Sequence, residues 1–493
     1  MRKAPIALTH RSKQLLDSGQ RTLCIDLDGT LINTDLVWEC FLKVLKQAPW
    51  RLMLIPIWLL GGKQRLKSEL YRNVHIDVSA LPYNRAVLDF IEENRSNYSA
   101  VVLVTGTIES LALSVAAHLG IFRSVIASDS RRNLTGSAKA EELTTVFAEG
   151  GYDYVANERA DLAAWAHAAR AITVNASRTT RDNLRQLPVE HLDLGGRSAS
   201  VLTWLRAVRL HQWAKNALLF VPLVTAHRIL DIHAMTMELV AFLAFGLCAS
   251  GTYVLNDLLD LESDRHHATK RTRPFAAGEI PIPTALTACV MLLASGFSVA
   301  VALPKHFVAA LAIYVVATIA YSLKLKRVAS LDVVVLAGLY TVRVIAGAFA
   351  IGVVLSFWLL AFSMFVFLCL AIVKRVSELQ DLQARNEVAI KGREYSVADA
   401  AILQVMGVSS GYISVLVLAL YINSREIMEL YASPRRLWLM VPLMLLWVTR
   451  LWVVTARGHM HEDPIVWAIK DPETWATGAA AAVVLLLATL AGG

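Results

Sequence analysis

From about residue 204 to its C-terminus, the chain is a succession of apolar runs, each near the ~20 residues an α-helix needs to cross a bilayer. Backbone placed in lipid must satisfy its own hydrogen bonds, so such runs are expected as helices. Nine spans are expected, at about 208–226, 236–255, 283–303, 307–325, 331–353, 355–373, 400–422, 437–454 and 476–492. The composition agrees: 56% of the 493 residues are hydrophobic and 18% charged, with a mean hydropathy of +0.49. That excludes an ordinary soluble protein. Residues 1–200 differ and read as a soluble domain.

Lysine and arginine counts orient the spans. The N-terminus lacks the apolar core of a signal peptide, so the first domain is expected in the cytoplasm. The loops after spans two, four, six and eight then face inward. They carry Arg265, Lys270, Arg271 and Arg273, then Lys326 and Arg327, then Lys374, Arg375, Arg385, Lys391 and Arg393, then Arg457 and Lys470. The opposite loops carry only Arg228, Lys305, Arg425, Arg435 and Arg436, as the positive-inside rule requires. The net charge of +8 therefore points to cytoplasmic loops and anionic lipid, and no nucleic-acid module is expected. The five cysteines have neither CxxC nor metal spacing and read as reduced thiols.

The loop after the second expected span holds both signs of charge. Asn256, Asp257, Asp260 and Asp264 form N-D-x-x-D-x-x-x-D, followed by Lys270, Arg271 and Arg273. If the span continues as a helix, the three aspartates share one face. They would repel one another in a solvated loop, but they suit Mg²⁺, a hard cation that links carboxylates to phosphate oxygens. Bases beside them suit the phosphates of a diphosphate. Further polar residues mark the same expected end of the bundle: Tyr321, Lys324 and Lys326 after span four, and Lys374, Arg375 and Glu378 after span six. Asp332 and Arg343 lie inside span five, where charge is costly and usually functional.

These residues resemble the UbiA-type intramembrane prenyltransferase superfamily. More narrowly, "RLHQWAKNALLFVPL", "NDLLDLESDRHHATKRTRPFAAG", "YSLKLKRVASLDVVVLAGLYTVRVIAGAFA" and "KRVSEL" resemble the decaprenyl-phosphate phosphoribosyltransferases. That resemblance implies transfer of 5-phosphoribose from phosphoribosyl pyrophosphate to a polyprenyl phosphate. It implies Mg²⁺ on Asp257, Asp260 and Asp264, with Asn256 beside them. Lys215, Lys270, Arg271, Arg273, Arg343 and Lys374 are then candidate phosphate clamps, and Tyr321, Lys326 and Glu378 further substrate-binding candidates. Members of the superfamily with aromatic acceptors carry a second DxxxD near span six. Here that stretch reads KRVSELQDLQARNE, without one.

In the soluble part, "TLCIDLDGTLINTD", "AVVLVTGT", "RSVIAS", "YDYVA" and "AITV" read as strands between helical stretches, hence a parallel α/β sheet with its site at the strand carboxyl ends. Asp26-x-Asp28-Gly-Thr at the end of the first run resembles the haloacid dehalogenase superfamily, mostly phosphatases. The resemblance implies Asp26 as nucleophile, Asp28 as general acid and base, Thr105 and Lys139 as phosphate binders, and a metal on Asp26, Asp28 and Asp161. Where that family usually has an acid, this sequence has Asn157. The insert at about 35–98 is expected as a helical cap, either lying on the bilayer surface by an apolar face with a basic edge or packed as an ordinary buried helix pair. The polar stretch 176–207 is expected as a linker.

The expected architecture is thus an N-terminal α/β dehalogenase-like domain at 1–195 and an all-α, nine-helix UbiA-like membrane domain at 196–493. Together the two motif sets suggest a transferase that makes a lipid-linked 5-phosphoribose and a phosphatase that dephosphorylates it. The partners would be polyprenyl phosphate, phosphoribosyl pyrophosphate and membrane lipid. Two alternatives stand beside this: prenyl transfer to an aromatic acceptor, and a membrane scaffold with an inactive head.

Overall fold

The computed structural model describes residues 6–7, 20–129, 132–196, 199–267, 269–385, 393–460 and 463–490. Most of the N-terminal segment, Lys391 and residues 491–492 of the last expected span lie outside them. By internal contact the chain forms two units. One is Met1–Val208 with Val254–Ala288; the other is Arg209–Tyr253 with Cys289–Gly493.

The first unit is built on a parallel sheet: β1 (Ile6–Ala7), β2 (Thr22–Ile25), β3 (Ala100–Ile108), β4 (Ser124–Ser128), β5 (Tyr152–Ala156), β6 (Arg170–Thr173) and β7 (Glu190–Asp193). Their order is β1-β4-β3-β2-β5-β6-β7. All five strand-like runs of the sequence are strands. Residues on β2 alternate between two cores, Leu23 and Ile25 on one side and Cys24 on the other, so both faces are covered. Ile25 lies opposite Leu103 of β3 and Val155 of β5. The chain beyond Ile25 therefore emerges between the ends of its two neighbours, where Asp26, Thr105 and Asn157 follow.

The expected linker is not one. Residues Arg178–Leu184 form a helix and β7 pairs with β6 in register from Arg170↔Glu190 to Thr173↔Asp193. Its sequence, EHLD, carries no apolar alternation because β7 is an edge strand held by polar side chains. Thr173 donates to Asp193 at 3.0 Å, and Arg181 pairs with Asp193 at 3.0 Å.

The insert after β2 is helical. α1 (Leu36–Gln47) is N-capped by Asp35, whose carboxylate accepts from the Val37 amide at 2.7 Å. A 3-10 turn (Pro49–Leu54), α2 (Ile55–Leu60) and α3 (Gly62–Arg72) follow. Cys40, Val44, Trp58 and Leu70 join the core, whereas Trp50, Met53, Ile57 and Leu60 are exposed.

The helical part contains eight helices long and apolar enough to cross a membrane among the described residues: Ile232–Leu259, Ile282–Ala300, Lys305–Leu323, Leu331–Ile351, Phe357–Ala384, Val397–Ile422, Pro434–Ala456 and Pro472–Thr489. They coincide with eight of the nine expected spans. The remaining one, expected at 208–226, is instead a 3-10 segment, Leu210–Phe220, and a five-residue helix, Val221–Thr225. Pro222 opens that helix, and the preceding segment buries the polar Lys215 and Asn216 among its apolar residues.

Candidate active sites

At the carboxyl edge of β2, Asp26 is nearly enclosed. Lys139, on the helix Ser137–Phe147, reaches its Oδ1 at 2.8 Å and Asp161 Oδ1 at 3.3 Å. The Tyr154 hydroxyl joins them, accepting from Lys139 and donating to Asp161, both at 2.9 Å. Burial pushes the Asp26 carboxyl up to about 6, with Lys139 pulling against it and Asp161 adding to the rise. Burial also opposes the Lys139 ammonium, but Asp26 and Asp161 outweigh it and hold Lys139 above the ordinary lysine value.

Asp28 has separate hydrogen-bond partners. Its Oδ1 accepts from the Leu36 amide at 2.9 Å and its Oδ2 from the Thr107 hydroxyl at 2.7 Å. Burial and then Asp35 push its carboxyl up to about 7. The Thr105 hydroxyl accepts from the Thr107 amide at 3.0 Å. Asn157, the departure from the dehalogenase pattern, is packed into this edge. Its Oδ1 accepts from Thr30 at 3.1 Å, and Thr30 also donates to Asp26 at 3.4 Å. A Cβ on Gly29, whose φ is +72°, would meet Asn157 Nδ2 at 2.3 Å, so this turn requires glycine. Thus Asp26, Lys139 and Asp161 form one contact group, and Asp28 and Thr105 meet through Thr107.

The acidic loop also lies in the first unit. The span helix carries Asn256 and Asp257 in its last turn and ends at Leu259. Asp260 has left helical geometry and starts the short helix Leu261–His266, on which Asp264 lies. The expected single face is therefore divided. Asp257 and Asp264, 4% and 5% exposed, share Arg273 at 3.4 and 2.6 Å. Asp260 pairs with Lys46 of α1 at 3.0 Å. Burial raises the Asp264 carboxyl against the pull of Arg273. Lys270 and Arg271 occupy the 3-10 turn Lys270–Thr272 between Asp264 and Arg273.

Within the second unit, Lys215 and Lys374 converge on one carboxylate, Asp463 Oδ2, at 2.6 and 3.3 Å. Burial alone would raise Asp463; Lys374 and Lys215 overcome it and hold the carboxyl well below the usual range. Arg343 is spent on the protein itself: it donates to Asn216 Oδ1 at 3.1 Å, to the Leu339 carbonyl at 2.6 Å and to the Tyr314 hydroxyl at 3.0 Å. Tyr321 donates to Asp332 at 2.7 Å, and Asp332 pairs with Arg375 at 2.7 Å. Arg375 also pairs with Glu378. Lys326 is buried in the turn Leu325–Arg327.

The carboxylate sets have the hard-oxygen chemistry that Mg²⁺ takes. Among the described residues no three acid, histidine or cysteine side chains stand together as a metal-ready group. Instead Lys139 bridges Asp26 to Asp161, and Arg273 bridges Asp257 to Asp264. Thr107, Lys46 and Asp463 escape sequence reading, since each acts on a residue far away in the chain; Tyr154 escapes it although its partners Asp161 and Lys139 lie within fifteen residues. Only the alternation within YDYVA could have placed Tyr154 with Tyr152 on one face of β5.

Comparison with known proteins divides the chain in the same way as its motifs. Residues 219–469 match the UbiA prenyltransferase family, and residues 23–171 match haloacid dehalogenase-like hydrolases. "Uncharacterized protein y4nM" of Sinorhizobium fredii is 36% identical over 94% of this chain and 90% of its own length. "Nodulation protein NoeC" of Azorhizobium caulinodans is 35% identical over 55% of this chain and 88% of its own. Decaprenyl-phosphate phosphoribosyltransferase of Mycobacterium tuberculosis is 35% identical over 38% of this chain and 63% of its own.

Proposed function

Because the chain belongs to the UbiA prenyltransferase family, we propose that it transfers 5-phosphoribose from phosphoribosyl pyrophosphate to a polyprenyl phosphate, and that its head then removes the 5-phosphate. The observation that carries this reading is the likeness to decaprenyl-phosphate phosphoribosyltransferases. Eight apolar helices make the protein a multi-pass membrane protein, and lipid-borne substrates suit it.

In the transfer, an oxygen of the lipid phosphate forms a bond to C1 of the ribose while the bond from C1 to pyrophosphate breaks. Negative charge leaves with the pyrophosphate. Mg²⁺, held by Asp257, Asp260 and Asp264 with Asn256 beside them, would supply neutralising charge for that group. Arg273 already compensates two of these carboxylates, and Lys270 and Arg271 add positive charge to the same loop. Lys215 and Lys374 share a single carboxylate, an arrangement that suits them to exchange it for phosphate oxygens. Tyr321, Lys326, Arg343 and Glu378 act in this reading as the frame around those groups.

In the head, the Asp26 carboxylate attacks phosphorus and the bond to the ribose 5-oxygen breaks. Asp28 gives that oxygen a proton, then takes one from the water that releases phosphate from Asp26. A carboxyl pushed up to about 7 suits both roles near neutral pH. Lys139 offsets charge on the phosphoryl oxygens, and Thr105 fixes the strand end beside them. Asp26, Asp28 and Asp161 would supply oxygens for a metal there, with Asn157 as a neutral neighbour. The exposed Trp50, Met53, Ile57 and Leu60 favour a cap whose apolar face meets lipid.

The test offers the purified protein two substrate pairs. One is labelled phosphoribosyl pyrophosphate with decaprenyl phosphate. The other is a prenyl diphosphate with an aromatic acceptor. Label entering lipid from the first pair, and not in Asp257→Ala, supports the reading. Turnover of the second pair alone overturns it.

A further inference from the structure

α1 carries charged residues at 39, 43 and 46, one face of a helix by their spacing. Each meets an opposite charge in the acidic loop, in antiparallel order. Glu39 pairs with Arg265 at 2.6 Å, Lys43 with Glu262, and Lys46 with Asp260 at 3.0 Å. The first pair is sealed from water, its side chains 8% and 7% exposed. Glu39 takes a further hydrogen bond from Thr34 at 2.7 Å, and Arg265 donates to the Ala276 carbonyl at 3.1 Å. Lys46 also donates to the Leu259 carbonyl at 2.7 Å, at the C-terminus of the span helix, where a cation is favoured. Behind the loop, a Cβ on Gly278, whose φ is +69°, would lie 2.3 Å from the Asn33 carbonyl oxygen.

These contacts are too specific for a tether. A tether needs only one covalent link, which the chain already provides. Three complementary pairs fix a register, and one of them ends on a carboxylate that the proposed function places in the metal-binding set. We propose that α1 is a strut for the acidic loop, with Lys46 and Glu39 as positioning residues for the transferase: Lys46 orients the Asp260 carboxylate and Glu39 anchors Arg265. The head then serves transfer by its shape, independently of its own phosphatase chemistry. This rests on the reading of Asp257, Asp260 and Asp264 as the transferase's acidic site.

Residues that orient a metal's ligands typically change metal affinity by about tenfold to a hundredfold when removed. The test compares full-length wild type with Lys46→Met, Lys46→Arg, Glu39→Gln and Asp257→Ala in detergent. Amide hydrogen exchange of residues 259–267 is measured without metal, and the Mg²⁺ dependence of transfer is measured beside it. The strut predicts faster exchange in this loop for Lys46→Met and Glu39→Gln, with β2 and β3 as protected as in wild type. It predicts a half-saturating Mg²⁺ concentration raised about tenfold or more. Lys46→Arg should stay near wild type, and hydrolysis of a small phosphate ester by the head should not change in Lys46→Met. Wild-type exchange and wild-type Mg²⁺ dependence in both Lys46→Met and Glu39→Gln would overturn the strut. Should Glu39→Gln unfold the head, shown by lost protection in β2 and β3, the more exposed Lys46 decides alone. Undiminished transfer by Asp257→Ala would instead overturn the acidic-site reading, which separates the two failures.

Discussion

Lys139 holds two carboxylates at once and is buried with them. Removing its charge leaves Asp26 and Asp161 facing each other without compensation, a costly state in a low-dielectric site. Lys139→Met should therefore abolish phosphate release and lower stability by about 3 kcal/mol, read as a fall in melting temperature; transfer to lipid should persist. The titration of this edge gives a second expectation. Asp26 and Asp28 are pushed up to about 6 and about 7, against about 3.9 in an unfolded chain. A carboxyl raised on folding favours the fold while protonated. That contribution is complete below pH ~3.9 and is lost as the pH climbs through 6 and 7. A divalent cation on the same oxygens opposes the loss. Melting curves at pH 5 and pH 8 should show a Mg²⁺-induced stabilisation that grows with pH; a shift that is equal or smaller at pH 8 would contradict it. Asp26 and Asp28 were legible because their chemistry sits within three residues of one turn. Lys46 and Asp463 were not, because their partners lie more than two hundred and nearly ninety residues or more away, and no local spacing reports such pairs.

At the scale of elements, periodicity was legible where one solvent covered a whole segment. The five strands of the sheet interior and the eight spans among the described residues are predominantly apolar runs, and each stands where expected. β7 gives no strand signal because an edge strand can be held by side chains such as Asp193 and Glu190, which carry no alternation. The segment at 208–226 reads as a span because mean hydropathy is blind to Pro222 and to the purpose of Lys215, a buried cation that pairs with Asp463. Inside the bundle, Arg375 joins the helix Phe357–Ala384 to Asp332 of Leu331–Ile351, both side chains fully buried. Arg375→Met should destabilise the helical unit by about 3 kcal/mol, because it removes the nearest cation from the buried Asp332 carboxylate and leaves it to the Tyr321 hydroxyl and to Arg393 at 3.6 Å. Thermal unfolding in detergent measures this; unchanged melting would mean that the pair carries no net stability.

The whole molecule carries two family motif sets in one chain. The intermediate of the first would be a lipid, confined to the membrane that holds the protein. A tethered second site meets such an intermediate at raised effective concentration. Wild type should then release dephosphorylated lipid-linked ribose with little of the phosphorylated form accumulating. In the proposed function the two acid motifs perform successive steps on the same lipid. The most direct measurement is mass analysis of the lipid product from wild type and from Asp26→Asn, each given decaprenyl phosphate, phosphoribosyl pyrophosphate and Mg²⁺. Wild type should give polyprenyl-phosphoryl-ribose, and Asp26→Asn should give its 5-phosphate. The same phosphorylated product from both proteins would contradict it.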